Sequence, residues 1–398
     1  MGKCKITKKK NKDIIHFGKM PIANGFLDKK DFKNEFFFNM TASFSEDMSL
    51  LQLNDHPKPK MMFNKDYPFF TSSSKFMKIH FKDFAKWIKK KYLKPGGKII
   101  ELGSNDGTFL KNFPTSDYDH AGFEPSKNVS LIAKKNKVNS LNEFFSRKNM
   151  HKAKKFIGKT DIICGANVVC HIPDLVEFIK TCDLFLNSDG KIIFEEPYLG
   201  SVYNKTSYDQ IYDEHIFIFS ISSIKKIFEL YDFQLIDVIK QKTHGGSMRY
   251  VLQRKRRNGL NLKIKKFIEY EKYDGVDSIK GAINFKKNCE ISREKLIDKL
   301  YSIKKKEKTI CGYAATSKST TILNYCDIGP DIIDCIFDTT ANKIGKYSPG
   351  KHIPIIDHKY FSKNFFDYSF LFAWNHSVEI KKKESKYIKS GGNWLTHL

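Results

Sequence analysis

Short apolar strands alternate with glycine turns and helices along most of the chain, and this alternation restricts the fold more than any other feature. The predicted strands of the longer run lie at residues 98–102, 120–125, 160–169 and 190–197. The same rhythm restarts after residue 308, with apolar runs at 334–340, 352–356 and 368–374. Strands that alternate with helices build a parallel, doubly wound sheet, so the sequence predicts an α/β protein.

The chain has 398 residues, which is more than one typical domain, and we predict three parts. Residues 1–70 form an irregular N-terminal module and residues 71–258 the first α/β unit. Residues 259–398 form a basic helical connector followed by a second, smaller α/β unit. Helices are expected at 76–93 and 175–186, where apolar residues recur at helical spacing, and a helix is expected to start at Thr108–Phe113.

Charge and cysteine content narrow the class of protein. Lys and Arg number 70 against 44 Asp and Glu, but the lysines are spread along the whole chain rather than gathered in one arm. We therefore expect no nucleic-acid partner, while a basic surface favours an anionic ligand such as a nucleotide diphosphate. No run of about 20 apolar residues occurs, so no membrane span is expected. The eight cysteines form no C-x-x-C pair, which predicts reduced thiols in the core of a cytoplasmic protein. We expect this protein to be a monomer.

A glycine turn follows the first strand of the longer run. The sequence IIELGSNDGTFL, residues 99–110, places Gly103 and Gly107 between a strand and a helix. Such a turn frees backbone N–H groups and lets a ligand approach the main chain closely. The turn lacks the G-x-G-x-x-G pattern of dinucleotide sites, and Glu101 at the end of the strand would repel a diphosphate. An acidic rim suits a cationic sulfonium instead.

The ends of the next strands add to this site. Glu124 ends the second strand and is placed to accept both ribose hydroxyls of a nucleoside. Asn167 lies at a later strand tip, where the amino-acid part of a ligand would lie. These features predict an S-adenosylmethionine site made by Glu101, Gly103, Ser104, Asn105, Asp106, Gly107, Glu124, Asn167 and Val168. The alternative is a plain strand–turn–helix unit without a ligand.

Several separated motifs resemble one family when they are taken in order. They are ELGSNDGTFL, GFEPS, ANVVCHIPDL, EEPYL, YDEH, HGGSMR, GYAATSKSTTILNY, YSPGKHIPI and AWN. In this order they resemble the sugar C-methyltransferases, similar to the 3-C-methyltransferases of dTDP-linked 4-keto-deoxysugars, over almost the whole chain. The resemblance implies a zinc-binding N-terminal module, a central class I methyltransferase domain, and a C-terminal Rossmann-like domain that helps to hold the nucleotide sugar.

The N-terminal module departs from that family pattern. The family has two C-x-x-C pairs, whereas this chain has Cys4 with Thr7 and Ser45 with Met48 at the matching places. One cysteine in four cannot make a tetrahedral thiolate site, so zinc is not expected. The alternative is that His16 and His56 substitute for the lost ligands. We expect the module to persist without zinc, packed through Phe36–Phe38 and their neighbours.

The run IYDEHIFIFS, residues 211–220, places four proton-handling side chains between apolar ones. Charged groups in such surroundings cost free energy unless they are partnered or used. Methylation next to a ketone needs a base and a group that stabilises the enolate oxygen. His215 suits the base by its usual pKa of about 6.5. Tyr212 is expected to hydrogen-bond the sugar or the oxyanion, and Glu214 to orient or neutralise His215. Asp213 is read as supporting or solvent-facing.

The resemblance implies the same roles for Tyr212, Glu214 and His215. It also matches His171 to a family active-site histidine that could help to polarise the ketone. Two alternatives stay open at this point. The run at 211–220 could be an edge loop with ordinary surface charges, and His171 could be a helix-cap histidine beside Pro173.

The C-terminal unit is the expected handle for the nucleotide sugar, a nucleotide diphosphate with dTDP as the implied nucleotide. Its strand–turn–helix start offers Thr316, Ser317 and Lys318 to a diphosphate at a helix N-terminus. The other substrate contacts are assigned to Tyr67, Tyr198, Arg249, Asp338, Lys343, Tyr347, Trp374 and Asn375. For Arg249 the alternative is a structural ion pair. This unit lacks G-x-G-x-x-G, so NAD is not expected; a sugar-nucleotide oxidoreductase or epimerase remains the alternative function.

Overall fold

The computed structural model describes residues 2–256, 259 and 261–398, and their strands form three sheets. The end of the predicted second domain, residue 258, lies outside the described residues. The domain boundaries therefore stay a prediction. Among the described residues, no helix combines the length and the apolar character needed to cross a membrane.

The N-terminal sheet is antiparallel and has the order β1-β2-β3-β9. Its first three strands and the helices that follow are β1 (Lys12–Pro21), β2 (Phe37–Ser45), β3 (Leu50–Leu53), α1 (Pro59–Met62) and α2 (Lys75–Lys91). The alternation in β1 is interrupted by register shifts at Asp13/Ile15 and His16/Gly18. Such bulges break the period of two, which explains why the sequence predicts an irregular region here.

The core of this module is built by other aromatic residues than expected. Phe17 and Phe44 are buried together with Met40, whereas Phe36 and Phe37 are each 41% exposed. The expectation that Phe36–Phe38 pack the module is therefore wrong for its first two residues, and Phe38 is only partly buried against the core.

The central sheet has seven strands in the order β10-β11-β8-β7-β4-β5-β6. Its elements, together with the β9 that pairs with the N-terminal sheet, are β4 (Lys98–Leu102), β5 (Asp119–Phe123), α3 (Lys127–Lys135), β6 (Ser140–Leu141), β7 (Thr160–Ala166), α4 (Leu175–Phe185), β8 (Leu186–Pro197), α5 (Leu199–Lys205), β9 (Phe217–Ile218), α6 (Ile221–Glu229), β10 (Phe233–Gln241) and β11 (Ser247–Arg254). Strand β11 is antiparallel to both neighbours, and the pairs from β8 to β6 are parallel. The predicted doubly wound α/β fold is confirmed.

One predicted helix is replaced by a turn. The segment at Thr108–Phe113 contains only a short 3-10 helix, Leu110–Asn112. Pro114 follows directly, and a proline disfavours the α conformation in the residue before it. The chain therefore reaches β5 without a full helix.

The C-terminal sheet has five parallel strands in the order β14-β13-β12-β15-β16. The elements after the central sheet are α7 (Leu262–Tyr273), α8 (Ile279–Lys304), β12 (Ile310–Tyr313), α9 (Ser317–Tyr325), β13 (Ile336–Asp338), β14 (Ile355–Asp357), β15 (Tyr368–Leu371), α10 (Ser377–Lys383), α11 (Ser385–Lys389) and β16 (Asn393–Leu395). This confirms the predicted second α/β unit behind a helical connector. All eight cysteines are buried and unpaired, as predicted for core thiols.

The run at 211–216 lies where the three sheets approach one another. Strand β9 follows it directly and pairs with β3, through Leu51 and Ile218. On the other side, the Thr321 hydroxyl of α9 donates to the Ile211 carbonyl oxygen over 3.0 Å. The N-terminal module and the C-terminal unit thus both hold this run in place.

Candidate active site

A cavity of about 380 Å³ opens at the carboxyl ends of β4, β5, β7 and β8. Strand β4 lies between β5 and β7, so the cavity sits where the chain order reverses across the sheet. Ligands of doubly wound sheets bind at this switch point. The predicted cofactor residues that line the cavity are Glu101, Gly103, Ser104, Asn105, Glu124, Asn167 and Val168.

The glycine turn after β4 is tightly packed. Gly103 has φ +57°, and a Cβ there would lie 2.5 Å from a methyl group of Val168, so no larger residue fits. The Asn105 backbone N–H donates to one oxygen of Glu124 over 2.9 Å, and the Ser126 N–H donates to the other over 2.7 Å. The turn and the end of β5 are therefore held as one unit.

Asp106 and Gly107 stabilise the turn and its surroundings and do not line the cavity. The Asp106 carboxylate accepts from Thr108 with one oxygen and from the Ser72 backbone N–H over 2.8 Å with the other. Gly107 packs against Val138, with 2.8 Å between that side chain and a Cβ built on the glycine. Asp106 thus anchors the 69–74 segment beside the cavity, and the assignment of both residues as ligand contacts is corrected.

The cavity is rich in unpaired acceptors. Glu101 Oε2, Ser104 Oγ and Asn167 Oδ1 are buried and have no hydrogen-bond partner within the described part of the chain. Burial, together with the charges of Asp106 and Glu124, raises the pKa of Glu101 well above its ordinary value. Burial also raises the pKa of Glu124 to about 7. A cation that carries hydroxyl donors would satisfy these groups, so they fit S-adenosylmethionine.

His215 is 1% exposed, and both nitrogens of its ring are partnered. Nδ1 lies 2.7 Å from the Gln210 carbonyl oxygen, and Nε2 lies 2.7 Å from the Tyr212 hydroxyl. A carbonyl oxygen can only accept, so Nδ1 carries the proton and Tyr212 donates to Nε2. Burial lowers the pKa of His215 well below its ordinary value, with a further contribution from His171. The ring is therefore a neutral base.

Glu214 and Asp213 are bound differently from the sequence prediction. Glu214 is 2% exposed and accepts from the Asn24 amide over 2.6 Å and from the Tyr67 hydroxyl over 3.2 Å. No hydrogen bond joins it to His215 among the residues that the structure describes, so it does not orient that ring directly. Asp213 is 1% exposed and accepts from the Ala23 backbone N–H over 3.1 Å. The solvent-facing place expected for Asp213 is therefore wrong.

His171 lies in the cavity wall and connects it to His215. The two rings stack with 5.3 Å between their centroids, and the Phe63 ring stacks on His171 at 5.5 Å. Burial lowers the pKa of His171 to about 3, so the ring is neutral. The cap of α4 is formed by the Asp174 side chain, which accepts from the Glu177 N–H over 2.9 Å. The alternative of a helix-cap histidine is therefore excluded.

Lys318, Trp374 and Asn375 are brought together at the C-terminal unit. The Lys318 ammonium lies 4.9 Å from the Trp374 ring centroid and donates to Asn375 Oδ1 over 3.1 Å. Burial lowers the pKa of Lys318 to about 8. Thr316 is the N-cap of α9, and its hydroxyl accepts a hydrogen bond from the Ser319 N–H. Ser317 is the first residue of that helix.

Of the remaining residues assigned to the nucleotide, Lys343 and Tyr347 contact the N-terminal module, whereas Asp338 is bound within the C-terminal unit. Asp338 accepts from the Ala315 and Thr340 backbone N–H groups, each over 2.7 Å. Lys343 donates to the Ala315 carbonyl over 2.7 Å, and its ammonium lies 4.8 Å from the Phe26 ring centroid. Tyr347 pairs through its backbone with Leu27 of the N-terminal module.

Two predicted substrate residues lie elsewhere. Arg249 donates from Nε to Glu195 over 2.6 Å, and its guanidinium lies 3.9 Å from the centroid of the Phe84 ring. The alternative of a structural ion pair is thus the correct one for Arg249. Tyr198 forms a hydrogen bond with Glu271 of α7 and lies outside the cavity lining, as do the residues assigned to the C-terminal unit. The assignment of Tyr198 to the substrate stays a prediction.

The positions that match the family's zinc cysteines do not fit a zinc ion. The Thr7 and Ser45 hydroxyls donate to the two oxygens of the Asp47 carboxylate, over 2.7 Å and 2.5 Å. The Cys4 sulfur accepts from the Thr7 N–H over 3.5 Å, and Met48 is buried nearby in the same core cluster as Cys4. One thiol, two hydroxyls and a thioether cannot replace four thiolates, and here they form a hydrogen-bonded cluster.

Sequence reasoning missed three residues of the site. Asn24 lies 190 residues from its partner Glu214, and no local pattern marks it. His244 lines the cavity, and its signal was present in the HGGSMR motif. Asp209 accepts from the Trp374 indole over 2.6 Å and faces His397 at 3.1 Å. It lies just before the 211–220 run, in a stretch without a recognised motif.

Known proteins are similar to this chain over most of its length. A model described as "Methyltransferase domain" matches residues 77–238, and one described as "C-methyltransferase C-terminal domain" matches residues 242–398. C-methyltransferase NovU of Streptomyces niveus is 25% identical over 386 residues, which is 96% of this chain and 92% of that protein.

Solved structures show only a distant likeness. Magnesium protoporphyrin IX methyltransferase of Synechocystis PCC 6803 with bound SAH is 14% identical over 45% of this chain and 83% of that one, with a TM-score of 0.36. A SAM-dependent methyltransferase from Aquifex aeolicus is 12% identical over 44% of this chain and 97% of that one, with a TM-score of 0.34. The family models and the order of the central sheet identify residues 77–238 as a methyltransferase domain with the class I fold. Residues 242–398 are similar to the C-terminal domain of C-methyltransferases.

Proposed function

We propose that the protein methylates the carbon next to the ketone of a nucleotide-linked keto-deoxysugar, with dTDP as the nucleotide, through an enolate. The observation that carries this proposal is the buried Tyr212–His215 pair beside the cavity wall. A neutral imidazole with a fixed Nδ1 proton offers its Nε2 lone pair as a base. The family match supports C-methylation, and the substrate class is our inference.

His215 and Tyr212 account for the removed proton and for the charge of the enolate. His215 Nε2 accepts the proton from the carbon next to the ketone, and the electron pair of that C–H bond moves to the carbonyl oxygen. The Tyr212 hydroxyl, released from Nε2, donates to the enolate oxygen that forms. Bound S-adenosylmethionine would supply an electrophilic methyl group for the enolate carbon, with its thioether as the leaving group.

We assign the two ligands to different ends of the site. Glu101 and Asn167 would hold the methyl donor at the carboxyl ends of the strands, because their unpaired oxygens suit a cation with hydroxyl groups. The Glu124 carboxylate lines the same part of the cavity and would accept from the ribose hydroxyls. Tyr67 and His171 line the part that the sugar would occupy. The sugar nucleotide would approach from Lys318 and Trp374, whose cation and ring suit a phosphate and a base.

The alternative function is a sugar-nucleotide oxidoreductase or epimerase that uses the C-terminal unit. The turn before α9 reads GYAATS and has a single glycine, so it lacks the close backbone approach that a dinucleotide diphosphate needs. Mass spectrometry of the ligand that copurifies with the protein separates the two functions, since NAD would support the alternative.

Proton exchange tests the proposed chemistry before methyl transfer. The protein is incubated with a dTDP-4-keto-deoxysugar in deuterated water, and deuterium at the carbon next to the ketone is followed by NMR. Deuterium incorporation is expected with the unchanged protein. His215→Ala should lower turnover by roughly 10²–10⁴-fold while S-adenosylmethionine still binds. The exposed His151 gives a matched control, His151→Ala, which should keep full turnover.

Two results would contradict the proposal. If no 4-keto sugar nucleotide exchanges a proton, the enolate mechanism is wrong. If His215→Ala turns over at the rate of the unchanged protein, His215 is not the base.

A further inference from the structure

The loop at residues 22–27 contacts both the 211–216 run and the C-terminal unit. We name it the bridge loop. It follows β1 and is closed by a turn in which the Gly25 N–H donates to the Ile22 carbonyl over 2.9 Å. Its sequence, IANGFL, carries no catalytic motif.

Two neighbouring residues of the bridge loop bind two neighbouring carboxylates. The Ala23 backbone N–H donates to Asp213 over 3.1 Å, and the Asn24 amide donates to Glu214 over 2.6 Å. Among the described residues, the Asn24 amide is the hydrogen-bond donor to Glu214 Oε1, while the Tyr67 hydroxyl donates to Oε2. The N-terminal module therefore reaches the centre of the site.

The same loop is tied to the C-terminal unit. The Thr320 hydroxyl of α9 donates to the Ala23 carbonyl oxygen over 2.8 Å. The Lys343 ammonium lies 4.8 Å from the Phe26 ring centroid, and Leu27 pairs with Tyr347 through the backbone. The contact on Glu214 and those on the C-terminal unit are thus only one to three residues apart in the bridge loop.

We propose that Asn24 is a positioning residue of the methyl-transfer site, which fixes Glu214 and through it the Tyr67 hydroxyl in the cavity wall. This inference rests on the proposed function. A buried carboxylate that loses one of two side-chain donors rotates or takes up a proton. Rotation moves the acceptor of the Tyr67 hydroxyl, and protonation weakens it. Tyr67 then no longer meets the sugar in one orientation.

Glu214 is also well placed to report on Asn24 without any substrate. Glu214 interacts electrostatically with five other titratable groups, which are Tyr67, Cys170, Tyr212, Asp213 and Lys343. Burial raises the pKa of Glu214 to about 7, against the hydrogen bonds from Asn24 and Tyr67 and the charge of Lys343. Because the Asn24 bond favours the ionised form, its removal must raise that pKa further.

A titration of the free protein provides the first test. The protein is labelled with ¹³C at the glutamate side-chain carboxyl groups, and the Glu214→Gln variant identifies the Glu214 resonance. In Asn24→Ala, the midpoint of Glu214 should move upward by about one pH unit. Asn24→Asp keeps the side-chain volume but adds a negative charge, so it should move the midpoint further upward. The control is Asn39→Ala, an exposed position of the same module.

Kinetics provide the second test. With the sugar nucleotide of the proposed function, Asn24→Ala should lower kcat by about tenfold, leave S-adenosylmethionine binding unchanged, and move the acidic limb of the pH profile upward. Asn39→Ala should change none of these. An unmoved Glu214 midpoint in both Asn24 variants overturns the inference. If the unchanged protein turns over no keto-sugar nucleotide, the proposed function fails, and the titration still decides the place of Asn24.

Discussion

S-adenosylmethionine should bind about tenfold more tightly at pH 8 than at pH 6, because its site holds a carboxyl group that is partly protonated in the free protein. Glu124 is buried at the end of β5, and burial raises its pKa from the ordinary 4.5 to about 7. Ribose hydroxyls that donate to this group favour its ionised form. Binding therefore releases a proton, and the affinity rises with pH.

The magnitude follows from the two pKa values. If bound ligand returns Glu124 from about 7 to its ordinary 4.5, the binding constant rises between these limits and is flat outside them. Between pH 6 and pH 8 the rise is about tenfold, or about 1.4 kcal/mol. At pH 7 about half a proton leaves Glu124. Glu101, whose pKa is raised well above its ordinary value, adds to the release when a sulfonium charge arrives.

Titration calorimetry in buffers of different ionisation enthalpy measures both quantities. S-adenosylhomocysteine has the same hydroxyls without the sulfonium charge, so it should show the Glu124 contribution with less from Glu101. Glu124→Gln should weaken binding and remove most of the pH slope, whereas Glu46→Gln, at an exposed position, should do neither. Equal affinities at pH 6 and pH 8 with no proton release would refute this account of the site.

Two further predictions concern stability. Asp209→Asn should lower the free energy of unfolding by about 3 kcal/mol in urea denaturation, because it removes a buried charge that faces His397 and Lys318 and accepts from Trp374; a loss below about 1 kcal/mol would show that this ion pair contributes little. Treatment with EDTA should leave the melting temperature unchanged, because hydroxyl–carboxylate bonds at Thr7, Ser45 and Asp47 occupy the place of the family's zinc site; a fall of several degrees, with zinc found by metal analysis, would contradict this.

The sequence predicted the central strands and much of the cavity because their signals are local. Gly103 must follow β4 where the backbone has positive φ, and Glu124 ends the next strand at the same edge of the sheet. Parallel strands bring such ends together whatever the intervening chain does. Residues that depend only on their own strand end were therefore correctly placed at the cavity.

Residues whose partners lie far along the chain were beyond sequence reasoning. Arg249 forms an ion pair with Glu195, which lies opposite it where β11 pairs with β8. The register of that antiparallel pair cannot be predicted from either strand alone. Asp213 was expected to be supporting or solvent-facing, and its donor at Ala23, 190 residues away, could not be predicted. The burial of two adjacent carboxylates is possible only with such donors, and periodicity within one segment cannot reveal them.

The 211–216 run depends on all three parts of the protein for its polar contacts. The Gln210 carbonyl beside it fixes the His215 tautomer, the bridge loop supplies donors to Asp213 and Glu214, and Thr321 of α9 donates to the Ile211 carbonyl. An unsatisfied buried polar group costs about 1–3 kcal/mol, and more if it is charged. The central domain can hold a methyl donor at its own strand ends. It cannot hold the proton-handling run in one arrangement without the other two parts, and this explains why those parts share one chain with it.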